Sequence, residues 1–409
     1  MKKILLSILV IILIFNTGCW DRKEIENRAY VLGVAIDKYP PSPTGQEGEE
    51  ETPQEEEKKV EKSGIYTGQP KYALTVQIPI VKKASYRTTT RGNVGDSGSS
   101  RTWQITEEGN SFLEMLRNMG TRINQTIYLE HMQVIVISEA AAREGLKKIV
   151  DFFVRDPEAR RRVKIYISSG EAKSVLDVEP RVEDFSSTYL ANLAVHSRIN
   201  GKILEKTDLG ETMENIHAGN AFMLSRVEPT KDEIKNAGVA LFNSKSFMVG
   251  WLDGLELEGV KFIRNLYEGG IVTAENPEYP GSVIVLEVKK VKSRIVPIVN
   301  NNEISFKIQL KVKGNYAENE NELVYQHLSR DFFEKAEEAF ARKIEEICQR
   351  SITKIQKEFG TDVFLFNVVL KTKEPALWKQ LEDDWETVFP QIKTEVEADV
   401  SIKLHGHVK

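Results

Sequence analysis

In this 409-residue chain, Cys19 is the residue whose type and setting most directly imply covalent chemistry. It follows the compact residues Thr17 and Gly18, at the end of a segment in which Lys2 and Lys3 precede an apolar run from Ile4 to Phe15. The run fits the h-region of an export signal and is too short for a membrane span of about 20 residues. Small residues beside the cut, and a thiol to take a diacylglyceryl thioether, are what a bacterial lipoprotein signal peptidase requires. Residues 1–18 are therefore predicted to be a signal peptide, with Cys19 the lipid attachment site and the first residue of the mature chain. The competing reading is an ordinary secreted protein or a buried cysteine. Two acyl chains hold a protein at a bilayer stably, while a single one does so marginally, at roughly 0.8 kcal/mol per buried methylene. With Cys19 modified, Cys348 is the remaining thiol; no intramolecular disulfide then forms, and packing must carry stability.

Other groupings have the right residue types for chemistry but weaker spacing. His405 and His407 would share one face of a terminal strand and could hold a metal if a third ligand converged; a polar strand face is the alternative, and no metal site is predicted. Glu382, Asp383 and Asp384 imitate an acid pair, yet adjacent carboxylates on a helix point in different directions, as on a solvated face. Trp378 and Trp385, seven apart, share a helix face as core or as an aromatic platform, with core the expectation. Arg160, Arg161 and Arg162 could meet anionic headgroups or be a solvated helix end. Cys348, beside an apolar stripe, reads as an inert small hydrophobe. The chain contains no GxGxxG, Walker A loop, HExxH, GxSxG or CxxC, so no nucleotide, catalytic or redox template is met and no cofactor is implied. A net charge of -5 offers no global basic field for a phosphate backbone, so nucleic acid is not an expected partner.

The elements that must position these residues read as an α/β series. The length, with 41% hydrophobic residues, fills two or three cores. Trp20–Ala29 reads as a short polar helix or turn, followed by a buried strand, YVLGVAIDKY. Residues 40–64 carry four Pro and eight Glu with almost no aliphatic residue; such a segment cannot bury enough surface to offset its ordering entropy and is expected to be a mobile acidic insertion. Strand KYALTVQIPIV and strand TWQIT flank a second loose stretch, RTTTRGNVGDSGSS. A helix with Phe112, Met115, Leu116 and Met119 on one face follows. YLEHMQVIVIS is a strand with a continuous apolar half, as in a sheet covered on both sides. A helix with Leu146, Ile149, Val150 and Phe153 inward stops near Asp156-Pro157, and VKIYIS is a strand.

Residues 182–218 are helical in pattern. AFMLSR and NAGVALFNSKSFMVGWL read as strands with a hairpin turn at Asn243-Ser244, WLDGLELEGVKFIRN as a helix and GGIVTAE as a strand. Two long alternating strands follow, GSVIVLEVKKVKSRIVPIV and EISFKIQLKVKGN, whose lysines mark one face as wet. Phe333, Ala336, Phe340, Ile344, Ile347, Ile355 and Phe359 recur at helical steps, predicting a helix over 330–359 that Gly360 ends and that spans about 45 Å. VFLFNVVLK is expected as a strand, ALWKQLEDDWETVF as a helix and the tail as a strand.

The stretch CWDRKEIENRAYVLGVAIDK resembles the start of the C subunits of spore germinant receptors, the Ger(x)C lipoproteins. The likeness continues in LEHMQVIVISEAAAREGLKKIVDFFVRDPEARRR, with His131 and Arg155-Asp156-Pro157-Glu158 in the family's order. It resumes in AGVALFNSKSFMVGWL and in TDVFLFNVVLKTKEPALWKQLEDDWETVFP, with Pro375, Trp378 and Trp385. It covers essentially the mature chain, apart from the acidic and Ser/Gly stretches. The resemblance implies an elongated α+β/α/β protein of three domains, each with a mixed or antiparallel sheet flanked by helices. They are placed here at 19–200, 201–280 and 281–409. It further implies a lipid-anchored, noncatalytic receptor subunit on the outer face of the inner spore membrane. Integral A and B subunits would be its partners in converting a nutrient signal into release of ions and dipicolinate, without enzyme activity or cofactor. A solute-binding lipoprotein that captures a small nutrient itself is the alternative, although neither an internal repeat nor a convergent polar set is visible. An exported hydrolase would need a nucleophile, base and orienter brought together by folding.

Overall fold

The computed structural model describes residues 27–39, 69, 71–80, 101–205, 207–300, 303–320 and 329–403. Cys19, the acidic stretch 40–64, the RTTTRGNVGDSGSS stretch and both terminal histidines lie outside the described residues. In chain order the elements are strands β1 (Arg28–Tyr30), β2 (Gly33–Lys38), β3 (Tyr72–Pro79) and β4 (Thr102–Gly109), helix α1 (Phe112–Met119), and strands β5 (Thr126–Tyr128) and β6 (Val134–Ser138). Helices α2 (Glu139–Arg143) and α3 (Lys147–Arg155) lead to β7 (Lys164–Ser168), then α4 (Ala172–Asp177), α5 (Ser186–Leu193) and α6 (Leu209–Ala218). Strands β8 (Phe222–Pro229), β9 (Ile234–Phe242) and β10 (Met248–Leu252), helix α7 (Gly254–Ile263) and strand β11 (Gly270–Glu275) come next. The long strands β12 (Val283–Asn300) and β13 (Glu303–Asn319) precede helix α8 (Arg330–Lys354), then α9 (Phe366–Lys373), α10 (Pro375–Leu381), α11 (Trp385–Val388) and strand β14 (Lys393–Lys403).

Eight strands form one mixed sheet in the order β10-β9-β8-β7-β6-β2-β3-β4. Its centre, β8-β7-β6-β2, is parallel, and antiparallel pairs extend it on both flanks. Helices connect the parallel strands because such pairs need crossovers. Both faces of the centre are covered: Ile135, Ile137, Ile165 and Ile167 pack under α1, α2, α3 and α6, while Val134, Val136 and Tyr166 pack under α4 and α5. Every residue of β6 is buried in consequence, as its unbroken apolar run predicts.

The strand ladder runs through the expected division at 200/201. Strands β8, β9 and β10 complete the N-terminal sheet, and β11 joins β12, β13 and β14 in a second sheet, so the strands of 201–280 are shared between the two larger bodies. The physical reason lies in β8: it pairs in parallel with β7 and its apolar residues fill two cores, Leu224 on one side and Met223 on the other. A third, two-stranded sheet pairs β1 with β5 in parallel. The fold is α+β and multidomain.

In the second sheet β13 and β14 are parallel, and β11, β12 and β13 antiparallel. Helix α8 supplies the crossover and lays Phe332, Ala336, Phe340, Ile344, Cys348 and Ile352 into the core. It runs on through a wider turn, Ile355–Phe359, and stops at Gly360, whose φ of 58° glycine adopts at no steric cost. The helix read over 330–359 is thus present. On the outer edge of this sheet, the β14 amides of Ala398 and Ile402 donate to Glu345 and Glu337 of α8, at 2.8 Å each.

Two local readings are corrected. VFLFNVVLK, with strand-like alternation, folds as α9, because the Asp362 carboxylate accepts the Phe366 and Asn367 amides at 3.1 and 2.8 Å and starts a helix there. Leu365 turns the chain into it with φ 62°. The single helix expected from ALWKQLEDDWETVF is two, α10 and α11, with Glu382, Asp383 and Asp384 exposed at the break.

Candidate functional site

Residues from three separated segments of the chain converge where the described residues begin. Strand β1 brings Arg28 and Tyr30 beside Tyr128 of β5, since the register pairs Arg28 with Thr126 and Tyr30 with Tyr128. A tight turn closed by Met132 N donating to Leu129 O at 2.9 Å then projects Glu130 and His131. Behind it, the turn after α3 supplies Glu158, whose carboxylate accepts Leu129 N at 2.9 Å, and Arg160, which donates to Glu130 Oε1 at 3.0 Å.

The rings interlock edge to face. Tyr30 lies 5.8 Å from Tyr128 and 4.8 Å from His131 between centroids, and the Arg28 guanidinium sits 4.2 Å from the centre of the Tyr128 ring. Such contacts fix aromatic and cationic groups on a half-exposed surface without a closed pocket. The Tyr128 hydroxyl donates to the other oxygen of Glu130. This hydrogen bond, with help from Arg160, holds the Glu130 carboxyl below its ordinary range and raises Tyr128 above its own. Glu130 is therefore an anion at neutral pH, engaged on both oxygens, with His131 exposed beside it. The arrangement suits recognition by contact. It places no nucleophile next to a base.

The Arg160–Arg162 run is less free than its sequence implies: Arg160 pairs with Glu130, Arg161 with Glu214 at 2.7 Å, and Arg162 is exposed. A shallow recess of about 460 Å³ beside them is lined by Arg161, Arg162, Asp208 and Glu214, charged groups unlike the apolar lining of a small-molecule site.

Other motif residues serve the fold. Asp37, at the end of β2, receives the Ala172 and Lys173 amides at 2.6 and 3.1 Å and starts α4; burial raises its pKa against these hydrogen bonds. Trp385 is buried against Phe389 and Trp378, so the Trp pair belongs to the core. Cys348 is fully buried with its sulfur 3.9 Å from Gly259 O, and burial pushes the thiol pKa up. Cys19, His405 and His407 lie outside the described residues. Among the described residues, no group of three or more His, Cys, Asp and Glu stands where it could hold a metal ion, and no helix is long and apolar enough to cross a membrane.

One buried cluster has no counterpart in the reading of the sequence. Lys261 of α7 is 1% exposed and donates to Ile203 O at 2.7 Å. Tyr267 donates to Glu258 Oε1 at 3.2 Å nearby. Together they pin the 198–205 connection to α7. The only sequence signal is a lysine inside the apolar stretch GVKFI.

Comparison with known proteins places these features. Residues 21–229 match the sequence model of the spore germination protein N-terminal domain, and residues 237–406 that of the C-terminal domain described as spore germination B3/GerAC like. Curated relatives from Bacillus subtilis (strain 168) align end to end. Spore germination protein YndF is 28% identical over 98% of this chain and 96% of its own length. Spore germination protein B3 is 24% identical over 97% and 96%, and spore germination protein A3 22% over 99% and 98%. The crystal structure of the GerBC protein superposes with a TM-score of 0.56 at 21% identity, covering 84% of this chain and 96% of that one, and so shares the fold.

Proposed function

The chain belongs to the GerAC-like spore germination family, and from that premise we propose that it is the lipid-anchored, noncatalytic C subunit of a nutrient germinant receptor. It would work on the extracytoplasmic side of the spore inner membrane, assembled with integral A and B subunits. The observation that carries this reading is the convergence of Arg28, Tyr30, Tyr128, Glu130 and His131 on one half-exposed surface. Arg28 lies nine positions after Cys19, a reach of at most about 32 Å. A diacylglyceryl group on Cys19 would keep this surface within that distance of the bilayer, where integral partners present their outer loops.

The three-part division at 19–200, 201–280 and 281–409 belongs to the same proposal, with the middle part acting as the shared joint between the two sheets. Two measurements test it. Replacing Cys19 with Ala should release the protein from spore membranes and impair germination; retention and normal germination in that variant would refute the anchor. A pull-down from spore inner membranes with a tagged, lipidated chain should recover the two integral subunits, and their absence would refute the assembly.

A further inference from the structure

The open face of the second sheet carries charge that the fold does not use. Along β12, Lys290, Lys292 and Arg294 are exposed while the intervening Val291 is buried. The register sets Lys290 opposite Lys313 and Lys292 opposite Lys311 on β13, and these two partners are exposed as well. Like charges directly opposed across a ladder destabilise a sheet. Neighbouring cations are neutralised: Lys307 pairs with Glu395 and Glu397, and Lys289 with Glu287. Among the described residues no ion pair engages the other five. On β14, Asp399 stands beside Lys311 and Glu397 beside Gln309, which leaves β12 the positive side of the face.

Farther along β12 the composition turns apolar. Ile298, on the lysine face, and Val299, which the pleat turns to the opposite face at the end of the hairpin, are 36% and 40% exposed. Cations on aliphatic stems, followed by exposed aliphatic side chains at a turn, make a surface that meets a lipid headgroup layer. The charges reach phosphates, the stems lie along the boundary and the apolar tip enters it. We propose that the β12–β13 face docks on a bilayer containing anionic lipid, as a second membrane contact that needs no acyl chain on Cys19. An acidic protein lying on the lysines would leave the apolar hairpin tip, with Ile298 on the same face, in water, which favours the bilayer.

Flotation of the full chain carrying Cys19→Ala, on phosphatidylcholine vesicles with and without phosphatidylglycerol, tests the proposal. The apolar run before position 19 sets one baseline for every arm. The chain is expected to prefer the anionic vesicles, and the preference should fall as salt is raised. Lys290→Glu with Lys292→Glu should cut it by about tenfold or more. Lys292→Gln with Lys311→Gln, which removes one opposed pair without reversing charge, should cut it several-fold in a chain that melts no lower than the parent. Equal binding to both vesicle types would overturn the proposal, as would a preference that survives both double variants or binding to an acidic protein alone. None of these outcomes bears on the anchor at Cys19, because every arm lacks it.

Discussion

The indole of Trp385 donates to Asp362 Oδ2 at 3.1 Å, in the interior, and the same carboxylate starts α9 through two amides. Burial nevertheless pushes the Asp362 pKa up to about 6, from an ordinary value of 3.8. A folded-state pKa above the unfolded one means that the native state holds the proton more tightly. This group's contribution is therefore fully present below about pH 4 and lost as pH rises through 6. Asp362→Asn should remove a dependence on the order of 2–3 kcal/mol across that window. Denaturant midpoints of parent and variant between pH 4 and 7.5 would show it, and parallel curves would contradict it. Trp385→Phe leaves an acceptor short of one donor and should cost about 1–3 kcal/mol at pH 7.

Lys261 gives the opposite sign. Burial lowers its pKa to about 8 from 10.5, so the unfolded chain binds more protons between these values and stability rises with pH there. Above pH 10 the buried Tyr267, whose pKa is raised by desolvation and Glu258, pulls the other way, so the readable window is about pH 8 to 10. Lys261→Met, which keeps the stem and drops the charge, should flatten the rise. A variant whose stability still climbs in that window would assign it to another group.

Gly33 sits where a Cβ would fall 2.1 Å from Ser187 Oγ. That hydroxyl donates to Gln77 Oε1, while Gln77 Nε2 donates to Ser186 Oγ and Leu176 O at 2.8 and 2.9 Å. Because the network is fully buried, Ser187 has little room to yield. Gly33→Ala should destabilise by about 1–3 kcal/mol, and Ser187→Ala in the same chain should recover part of it. Thermal melts of the two variants would decide this; a neutral Gly33→Ala would show that the network shifts freely.

The Glu130–Arg160 pair is half-exposed, and water screens pairs of this kind so that they add little to stability. Glu130→Ala and Arg160→Ala should therefore leave melting nearly unchanged. If this surface contacts the integral subunits, both variants should still lower their recovery in a membrane pull-down and slow germination. Undiminished recovery with either variant would move the contact elsewhere.

What could be read from the chain, and what could not, follows from the range of the interactions. The β6 run and the α8 stripe were legible because burial on both faces, or along one stripe, writes a period into consecutive residues. VFLFNVVLK misled because its alternation is genuine; a carboxylate at Asp362 and a left-handed Leu365, both just outside the periodic run, override it. The Arg28–Tyr128–Glu130 surface was recognisable only as scattered motif pieces. Its assembly depends on a parallel pairing of β1 with β5 across a long chain separation, which no local pattern encodes. Lys261 was invisible because an isolated lysine in an apolar helix ordinarily reaches for water.

The carboxylates of Glu337 and Glu345 that occupy outward amides of β14 have a consequence for association. With two of its outward amides already engaged, this terminal strand is a poorer template for another polypeptide, which disfavours ribbon-like stacking of copies along that flank. Copies of the chain brought close together are therefore less prone to zip into a continuous sheet there.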